Sequence, residues 1–214
     1  MRPALMADSR GERRVSAVEL EALQSRLTEG HWEVEIGFGK GRYLLSQAAA
    51  NPRRQYLGIE MAAKYYRLVY QRARRQILAN ITLLCGEAAY LATAMLPRQF
   101  ARRVHVYFPD PWPKDRHSKR RLIDADALDL VLSMLKPGGE LLFASDHPEY
   151  QQQVETLLRS HPSLAVRSVG EWPEGPRTNY EAKFVDQGQP ILRLACDLIS
   201  PVVFHPQSTS MEAG

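Results

Sequence analysis

The chain of 214 residues has only two cysteines and no long uninterrupted apolar run. Cys85 and Cys196 are far apart, and each lies in a short apolar stretch, so we expect buried free thiols rather than a disulfide or a metal site. No apolar run approaches the ~18 residues of a membrane span, and the start of the chain lacks the apolar segment of a secretory signal. These absences predict a cytoplasmic location.

Acidic residues are scarce between residues 31 and 121. This stretch has 17 Lys or Arg residues against 6 Asp or Glu, a net charge of +11, whereas residues 122–214 have 6 against 13, a net charge of −7. The whole chain has a formal net charge of only +4. Such a distribution makes a directional field with one side suited to a polyanion. Solvated arginines on helices would give the same imbalance, so charge alone does not establish nucleic-acid binding.

Segments with the patterns of strands and helices alternate along the chain from residue 31. Strands are predicted at 32–36, 55–59, 81–85, 103–108, 140–144, 164–169 and 190–199. Helices are predicted at 16–28, 41–50, 62–78, 88–96, 122–135 and 148–160. This alternation predicts an α/β fold with a mostly parallel seven-stranded sheet and helices on both faces.

The last strand and the two ends of the chain depart from this alternation. The last strand follows another strand and a long loop without a predicted helix, so we expect it to be antiparallel, in a hairpin at the end of the sheet. Residues 1–15 are polar, arginine-rich and aperiodic, which is typical of disorder. We therefore expect a disordered tail over 1–15, a single domain over 16–205 and a C-terminal tail over 206–214.

A glycine-rich turn follows the strand predicted at 32–36. Glu35 stands two residues before Gly37, Gly39 and Gly41 follow, and Arg42 occupies the position where a dinucleotide-binding G-x-G-x-x-G fingerprint needs glycine or alanine. Glycines at such a turn let the backbone approach a ligand closely. A carboxylate in front of the loop gives pyrophosphate binding no advantage but attracts a cationic ligand, so a nicotinamide dinucleotide is disfavoured.

Two more carboxylates, Glu60 and Glu87, follow the next two predicted strands. Because the carboxyl ends of parallel strands meet at one edge of a sheet, we expect both to lie near Glu35. Glu60 is placed to accept both hydroxyls of a ribose, and Glu87 could meet an adenine amino group. S-adenosyl-L-methionine suits the three carboxylates, because it combines an ammonium group, a ribose diol, an exocyclic amine and a sulfonium without phosphates. Alternatively, Glu60 and Glu87 are helix N-terminal residues favoured by the helix dipole.

A stretch rich in proline and basic residues extends from Phe108 to Arg121. Each proline fixes its own φ and biases the residue before it towards extended geometry, so we expect a stiff, non-helical presentation of Asp110 and Trp112. A carboxylate and an aromatic face beside a basic run are suited to grip a nucleobase and its phosphates. A proline-rich surface connection with solvated charges is the alternative.

Together these residues resemble the S-adenosyl-L-methionine-dependent class I methyltransferases of Rossmann-like fold, and more narrowly the bacterial tRNA (guanine-N7)-methyltransferases. The resemblance covers about residues 30–200 and is carried by the glycine loop, by Gly58 to Glu60 and by the long proline and basic motif. Two later segments also match, Ser145 to Tyr150 and Arg177 to Lys183.

The resemblance implies methyl transfer from S-adenosyl-L-methionine to N7 of a guanine in the tRNA variable loop, at position 46 of tRNA in the family. The products would be 7-methylguanosine and S-adenosyl-L-homocysteine. It further implies that tRNA is the partner. We expect no obligate protein partner and no metal, and the sequence leaves open whether the protein is a monomer or a homodimer.

Residue roles follow from the same resemblance, with Asp110 as the active-site carboxylate. The cofactor would be bound by Glu35, Gly37, Gly39, Gly41, Glu60 and Glu87. The target nucleotide would be bound by Lys114, Asp146, Thr178, Asn179, Tyr180 and Glu181. The RNA would be contacted by Arg116, His117, Lys119, Arg120 and Arg121.

Two of these assignments have alternatives, and Trp112, which lies in the proline and basic motif, has two possible roles. The family usually has Asp near position 87, and Glu87 is one methylene longer, which puts the adenine contact in doubt. Asp146 could instead cap a helix, with Glu149 completing a capping box. Trp112 would either stack on the base or pack against its prolines.

The chemistry at N7 needs positioning rather than a strong base, because this nitrogen carries a free lone pair in neutral guanine. We expect Asp110 to accept hydrogen bonds from the N1–H and the N2 amine of guanine. Two rival functions are a non-catalytic RNA-binding protein on a relict methyltransferase fold and a methyltransferase for a small molecule or protein. The intact set of Glu35, glycines, Glu60 and Asp110 disfavours the first, and the basic half of the chain disfavours the second.

Overall fold

The computed structural model describes residues 5–6, 17–110, 125–173 and 177–202. Its strands are β1 (Leu5–Met6), β2 (Trp32–Ile36), β3 (Gln55–Glu60), β4 (Ile81–Cys85), β5 (Ala101–Tyr107), β6 (Leu135–Ser145), β7 (Leu164–Ser168) and β8 (Leu192–Leu198). Its helices are α1 (Ala17–Thr28), α2 (Arg42–Ala50), α3 (Ala63–Arg75), α4 (Ala88–Ala94), α5 (Ala125–Ser133), α6 (Pro148–Ser160) and α7 (Asn179–Asp186). None of the helices in these ranges is long and apolar enough to cross a membrane.

All the strands form one sheet in the order β1-β4-β3-β2-β5-β6-β8-β7. Neighbours from β1 to β6 pair in parallel, while β8 runs antiparallel to both β6 and β7. The seven predicted strands and the antiparallel last strand are therefore confirmed. The β7–β8 pair lies at the end of the sheet, with β7 outermost and β8 inserted beside β6.

The structure differs from the sequence-based expectation at three places. Leu5 and Met6, placed by the sequence in a disordered tail, pair with Leu83 and Leu84 of β4, whose free edge offers unpaired backbone groups. Helix α7 interrupts the connection from β7 to β8, which was expected to contain no helix. Strand β6 begins at Leu135 rather than near residue 140, because a register shift accommodates the Pro-Gly-Gly segment opposite β5.

Two apolar layers enclose the sheet. One includes Leu23 of α1, Leu91 of α4, Leu128 of α5 and Val154 of α6, and the other packs Leu44 of α2 and Val69 of α3 on β3 and β4. Both cysteines are free and buried, as predicted. The layers leave the carboxyl edge of the parallel strands as the place where glycine loop, strand-end carboxylates and α7 lie.

Candidate active site

The glycine loop between β2 and α2 is held in a conformation that suits glycine. Gly37, Gly39 and Gly41 have φ values of 75°, 50° and 71°. The Gly41 N–H donates to the carbonyl of Phe38 at 2.7 Å, which closes a tight turn. A Cβ at Gly41 would lie 2.6 Å from Cγ2 of Val69, so α3 packs directly against the backbone of the loop.

Glu60 ties this loop to the turn that follows β3. Its Oε2 accepts the Gly39 N–H at 2.8 Å and its Oε1 accepts the Ala62 N–H at 2.8 Å. An ionised carboxylate offers about four acceptor sites, so both oxygens retain capacity for further donors such as hydroxyl groups. The alternative role of Glu60 at the start of a helix is therefore found together with its contact to the glycine loop. Glu60 accepts the N–H of Ala62, the N-cap residue of α3, and also the N–H of Gly39.

Glu35 is the unusual charge of the site. Its side chain is 3% exposed, and among the described residues its Oε2 has no hydrogen-bond partner. Burial raises the pKa of Glu35 to about 8, and the nearby Glu60 adds to this, while the Leu44 backbone N–H and the Arg177 guanidinium oppose it. A buried carboxylate with a free oxygen fits a cationic ligand that brings its own N–H donors.

Glu87 lies exposed at the end of β4 as the N-cap residue of α4, but its side chain makes no capping hydrogen bond. Asp146 is half-buried directly after β6. The helix-cap alternative for Asp146 is wrong, because His147 is the N-cap residue of α6 and donates its N–H to Ser145 Oγ at 3.3 Å. Neither side chain therefore serves as a hydrogen-bonding cap of the helix that follows it.

Asp110 is exposed three residues after β5. Phe108 has a φ of 51°, not the extended geometry expected of a residue before proline. Its N–H donates to the Ala144 carbonyl at 2.8 Å, and its ring lies 5.8 Å from that of Phe184 in α7. A left-handed backbone conformation costs a residue other than glycine about 1–3 kcal/mol. The two contacts of Phe108 therefore stabilise a strained backbone conformation two residues before Asp110.

Several predicted residues lie outside the described part of the chain. These are Trp112, Lys114, Arg116, His117, Lys119, Arg120 and Arg121. Their assignments to base stacking, nucleotide binding and RNA binding stay predictions.

The four residues predicted to bind the nucleotide at α7 divide into different environments. Thr178 caps the helix, its Oγ accepting the Glu181 N–H at 3.0 Å, while Asn179 and Tyr180 are exposed. Glu181 is fully buried, and its carboxylate accepts the Arg193 Nε–H and the Arg177 backbone N–H, both at 2.7 Å. Three of the four can meet a ligand from solvent, whereas Glu181 faces the interior.

Sequence reasoning missed a buried polar network beneath these residues. His105 contacts Glu33 Oε2 through Nε2 at 3.1 Å and the Tyr107 hydroxyl through Nδ1 at 2.8 Å. The Arg177 guanidinium donates to the same Tyr107 hydroxyl, and it stacks 4.2 Å from the centre of the Trp172 ring. Burial lowers the pKa of His105, so its imidazole is neutral near pH 7.

The sequence contains a pattern that could have predicted this buried network. Glu33 and Glu35 alternate in one buried strand, as His105 and Tyr107 do in its neighbour, and alternate residues of a strand share a face. Parallel pairing sets Glu35 beside His105. Polar residues repeated with this period inside apolar strands indicate a built interior network rather than a surface.

Comparison with solved structures identifies the class of fold. A variant of the 16S rRNA (adenine(1408)-N(1))-methyltransferase from Catenulisporales acidiphilia, solved with the cosubstrate SAM, superposes with a TM-score of 0.60 at 18% identity, covering 90% of this chain and 96% of that one. A SAM-dependent methyltransferase from Aquifex aeolicus gives a TM-score of 0.57 at 14% identity, covering 84% and 89%. These likenesses show the Rossmann-like methyltransferase fold.

Sequence comparison narrows the class to a family. The family model described as "Putative methyltransferase" matches residues 30–194. Relatives named tRNA (guanine-N(7)-)-methyltransferase include that of Nitrosococcus oceani, 38% identical over 72% of this chain and 66% of the relative, and that of Azorhizobium caulinodans, 40% identical over 73% and 70%. The chain belongs to this methyltransferase family, in the group of the tRNA (guanine-N7)-methyltransferases. It spans only 64% of the Treponema pallidum relative, which is 37% identical over 75% of this chain.

Proposed function

We propose that this protein transfers a methyl group from S-adenosyl-L-methionine to N7 of a guanine in tRNA, giving 7-methylguanosine. The observation that carries the proposal is Glu35, a buried carboxylate with an unpartnered oxygen beside a glycine loop. An ammonium group beside it would supply both the positive charge and the hydrogen bonds that the carboxylate lacks. The names of the relatives support tRNA guanine as the acceptor.

The residues at the carboxyl edge fit this cofactor. Glu35 would bind the ammonium group, Glu60 the ribose hydroxyls and Glu87 the adenine amine, while the glycine loop allows close approach of the backbone. The bound cofactor supplies the electrophilic methyl carbon on its sulfonium. Glu87 is exposed, so its side chain, one methylene longer than the Asp usual in the family, could turn towards an adenine.

Asp110 would select and orient the base. Its carboxylate can accept both the N1–H and the N2 amine of guanine, and it balances the positive charge that develops on the base. Adenine offers no such pair of donors on that edge, and a desolvated, unpaired carboxylate costs at least ~1–3 kcal/mol. Holding N7 at near-attack distance from the methyl carbon can supply ~7–11 kcal/mol of the barrier.

Asp146, Asn179 and Tyr180 would form the other side of the nucleotide site, since Asp146 follows the strand that pairs with β5, and α7 contacts Phe108 through Phe184. We propose that Glu181 does not contact the nucleotide itself but positions the residues that do, by fixing the backbone of Arg177 and the start of α7. The buried network would hold this segment against β5. The cytoplasm is the compartment that the substrate implies, and it stays a prediction.

The test is methyl transfer from labelled S-adenosyl-L-methionine to unmodified tRNA transcripts, followed by nucleoside analysis. We expect label in 7-methylguanosine, and loss of label when the variable-loop guanine is replaced. Label in another nucleoside would refute the assigned position of attack. Cofactor binding without any methyl transfer would favour the relict RNA-binding protein.

A further inference from the structure

Helix α3 carries the densest unbalanced charge in the described part of the chain. Its 13 residues include five cations and no carboxylate, and no Asp or Glu occurs between Glu60 and Glu87. Lys64, Arg67, Arg74 and Arg75 are exposed. We propose that the exposed face of α3 binds the phosphate backbone of the substrate RNA outside the reacting nucleotide. The inference rests on the proposed function and extends its substrate contact beyond the proline and basic motif.

Folding requirements do not account for this composition. The apolar side of α3 is complete, since Tyr66, Val69 and Ala73 are buried against β3 and β4. Cations in the last turn are favoured by the helix dipole, which places negative partial charge there. Lys64, however, is the second residue of the helix, where the dipole favours a carboxylate.

Lys64 and Arg74 of α3 have different partners from several arginines elsewhere in the described part of the chain. Several arginines elsewhere form ion pairs with carboxylates, namely Arg54, Arg103, Arg159 and Arg193. Lys64 instead lies 4.7 Å from the centre of the Tyr65 ring, and the guanidinium of Arg74 lies 5.8 Å from that of Tyr70. These ring contacts hold the two cations along the surface without neutralising them.

The position of α3 connects this surface to the active site. The helix starts three residues after Glu60, and Arg72 Nη1 donates to the Lys40 carbonyl in the glycine loop at 3.0 Å. Strand β3 lies two strands from β5, a separation of about 10 Å, and Lys64 and Arg74 are about 15 Å apart along the helix. An RNA with one nucleotide at Asp110 can therefore lay its backbone along α3.

Phosphate backbone is the occupant that fits best. The face presents one sign of charge over several turns, which complements a strand of phosphates and provides no sequence readout. Such contacts would add affinity and orientation for a folded RNA without changing the chemistry at the base.

The experiment compares two double variants that remove the same number of charges. Lys64→Gln with Arg74→Gln neutralises part of α3, and glutamine is a good helix former. Arg98→Gln with Arg102→Gln is the matched control, at two exposed positions near the start of β5, the opposite end of that strand from Asp110. Filter binding of tRNA is measured over a salt series, with S-adenosyl-L-homocysteine binding and steady-state methyl transfer alongside.

For the α3 variant we expect the slope of log affinity against log salt to become less steep by about 1.4–1.8, since each lost phosphate contact removes about 0.7–0.9. KM for tRNA should rise while kcat and cofactor affinity stay unchanged, and the control should keep the wild-type slope. Equal slopes in the two variants would overturn the inference, as would a loss of kcat with an unchanged slope.

Failure of the inference and of the proposed function are separable. Wild-type methylation of tRNA with equal slopes in the variants refutes only the role of α3. Wild-type binding of tRNA without methylation refutes the proposed function, while the slopes still decide on α3. A wild type that neither binds nor methylates tRNA refutes both.

Discussion

Glu35 has properties that folding alone disfavours. A buried carboxylate with a free oxygen is destabilising when ionised, and its raised pKa of about 8 expresses that cost. The folded chain holds a proton that the unfolded chain releases near its ordinary pKa of 4.5, so the contribution to stability is complete below pH 4.5 and is lost as pH rises to about 8. At neutral pH the loss is about 3 kcal/mol.

Replacing Glu35 by Gln should therefore separate stability from cofactor binding. The Tm of the variant should exceed that of the wild type increasingly as pH rises from about 5 to 8, because glutamine never ionises. Wild-type affinity for S-adenosyl-L-homocysteine should increase over the same interval, while the variant binds weakly at every pH. Glu21→Gln, an exposed change on α1, should alter neither property. A pH-independent Tm difference would contradict the burial argument.

Asp110 is the second residue whose replacement discriminates between roles. Asp110→Asn should lower kcat/KM for tRNA by at least about tenfold, because the amide can present a donor to the guanine N1–H, while calorimetric cofactor affinity stays unchanged. Asp186→Asn serves as the control, because it removes an exposed carboxylate at the last residue of α7, away from the candidate nucleotide-binding residues at the start of that helix. Loss of cofactor binding in the Asp110 variant would move this residue from the base to the cofactor.

At the scale of elements, the glycine loop depends on its contact with α3. Gly41→Ala should destabilise the protein by about 2–5 kcal/mol, since it adds left-handed strain to an overlap with Val69. Gly30 has a φ of 82°, but a Cβ added there would meet no atom within 4 Å, so Gly30→Ala should cost only the strain, about 1–2 kcal/mol. Urea titrations of both variants measure the difference.

A double-mutant cycle isolates the overlap. Val69→Ala should recover part of the loss in Gly41→Ala, because it removes the two methyl groups that the new Cβ meets. It should recover none of the loss in Gly30→Ala. If the changes in the free energy of unfolding of Gly41→Ala and Val69→Ala were additive, the overlap with Val69 would not contribute to the loss of stability in Gly41→Ala.

The alternation of elements was predictable because each strand is a short apolar run bounded by turn signals. Helix α7 was missed, since it has only eight residues and its one buried side chain is the charged Glu181. The Thr178 and Glu181 spacing of a capping sequence was the signal that could have found it. Strand β1 was missed because two residues carry no period, and only the free edge of β4 explains their pairing.

The candidate site was predictable in its list of residues but not in their orientation. Spacing in the sequence treats Tyr180 and Glu181 alike, whereas the first is 60% exposed and the second is buried against Arg193. Orientation depends on the buried partners that the fold brings together from β5, α7 and β8. The strained turn at Phe108 was unpredictable for the same reason, because Ala144 and Phe184 come from distant parts of the chain.

At the scale of the whole molecule, the opposite net charges of residues 31–121 and 122–214 predict how the protein approaches RNA. The affinity for tRNA should fall steeply with salt, and that for S-adenosyl-L-homocysteine only slightly, since counterion release accompanies phosphate contacts alone. Arg120→Ala with Arg121→Ala should weaken tRNA binding and flatten its salt slope by about 1.4–1.8.

The matched change is Arg159→Ala with Arg167→Ala, which removes two arginines from the acidic part of the chain. Both are bound to carboxylates, Glu155 and Glu140, so the field they direct at a distant polyanion is already compensated. Their loss should leave the salt slope of filter binding unchanged. If both double variants flatten the slope equally, net charge rather than its distribution controls RNA binding, and the directional field has no role.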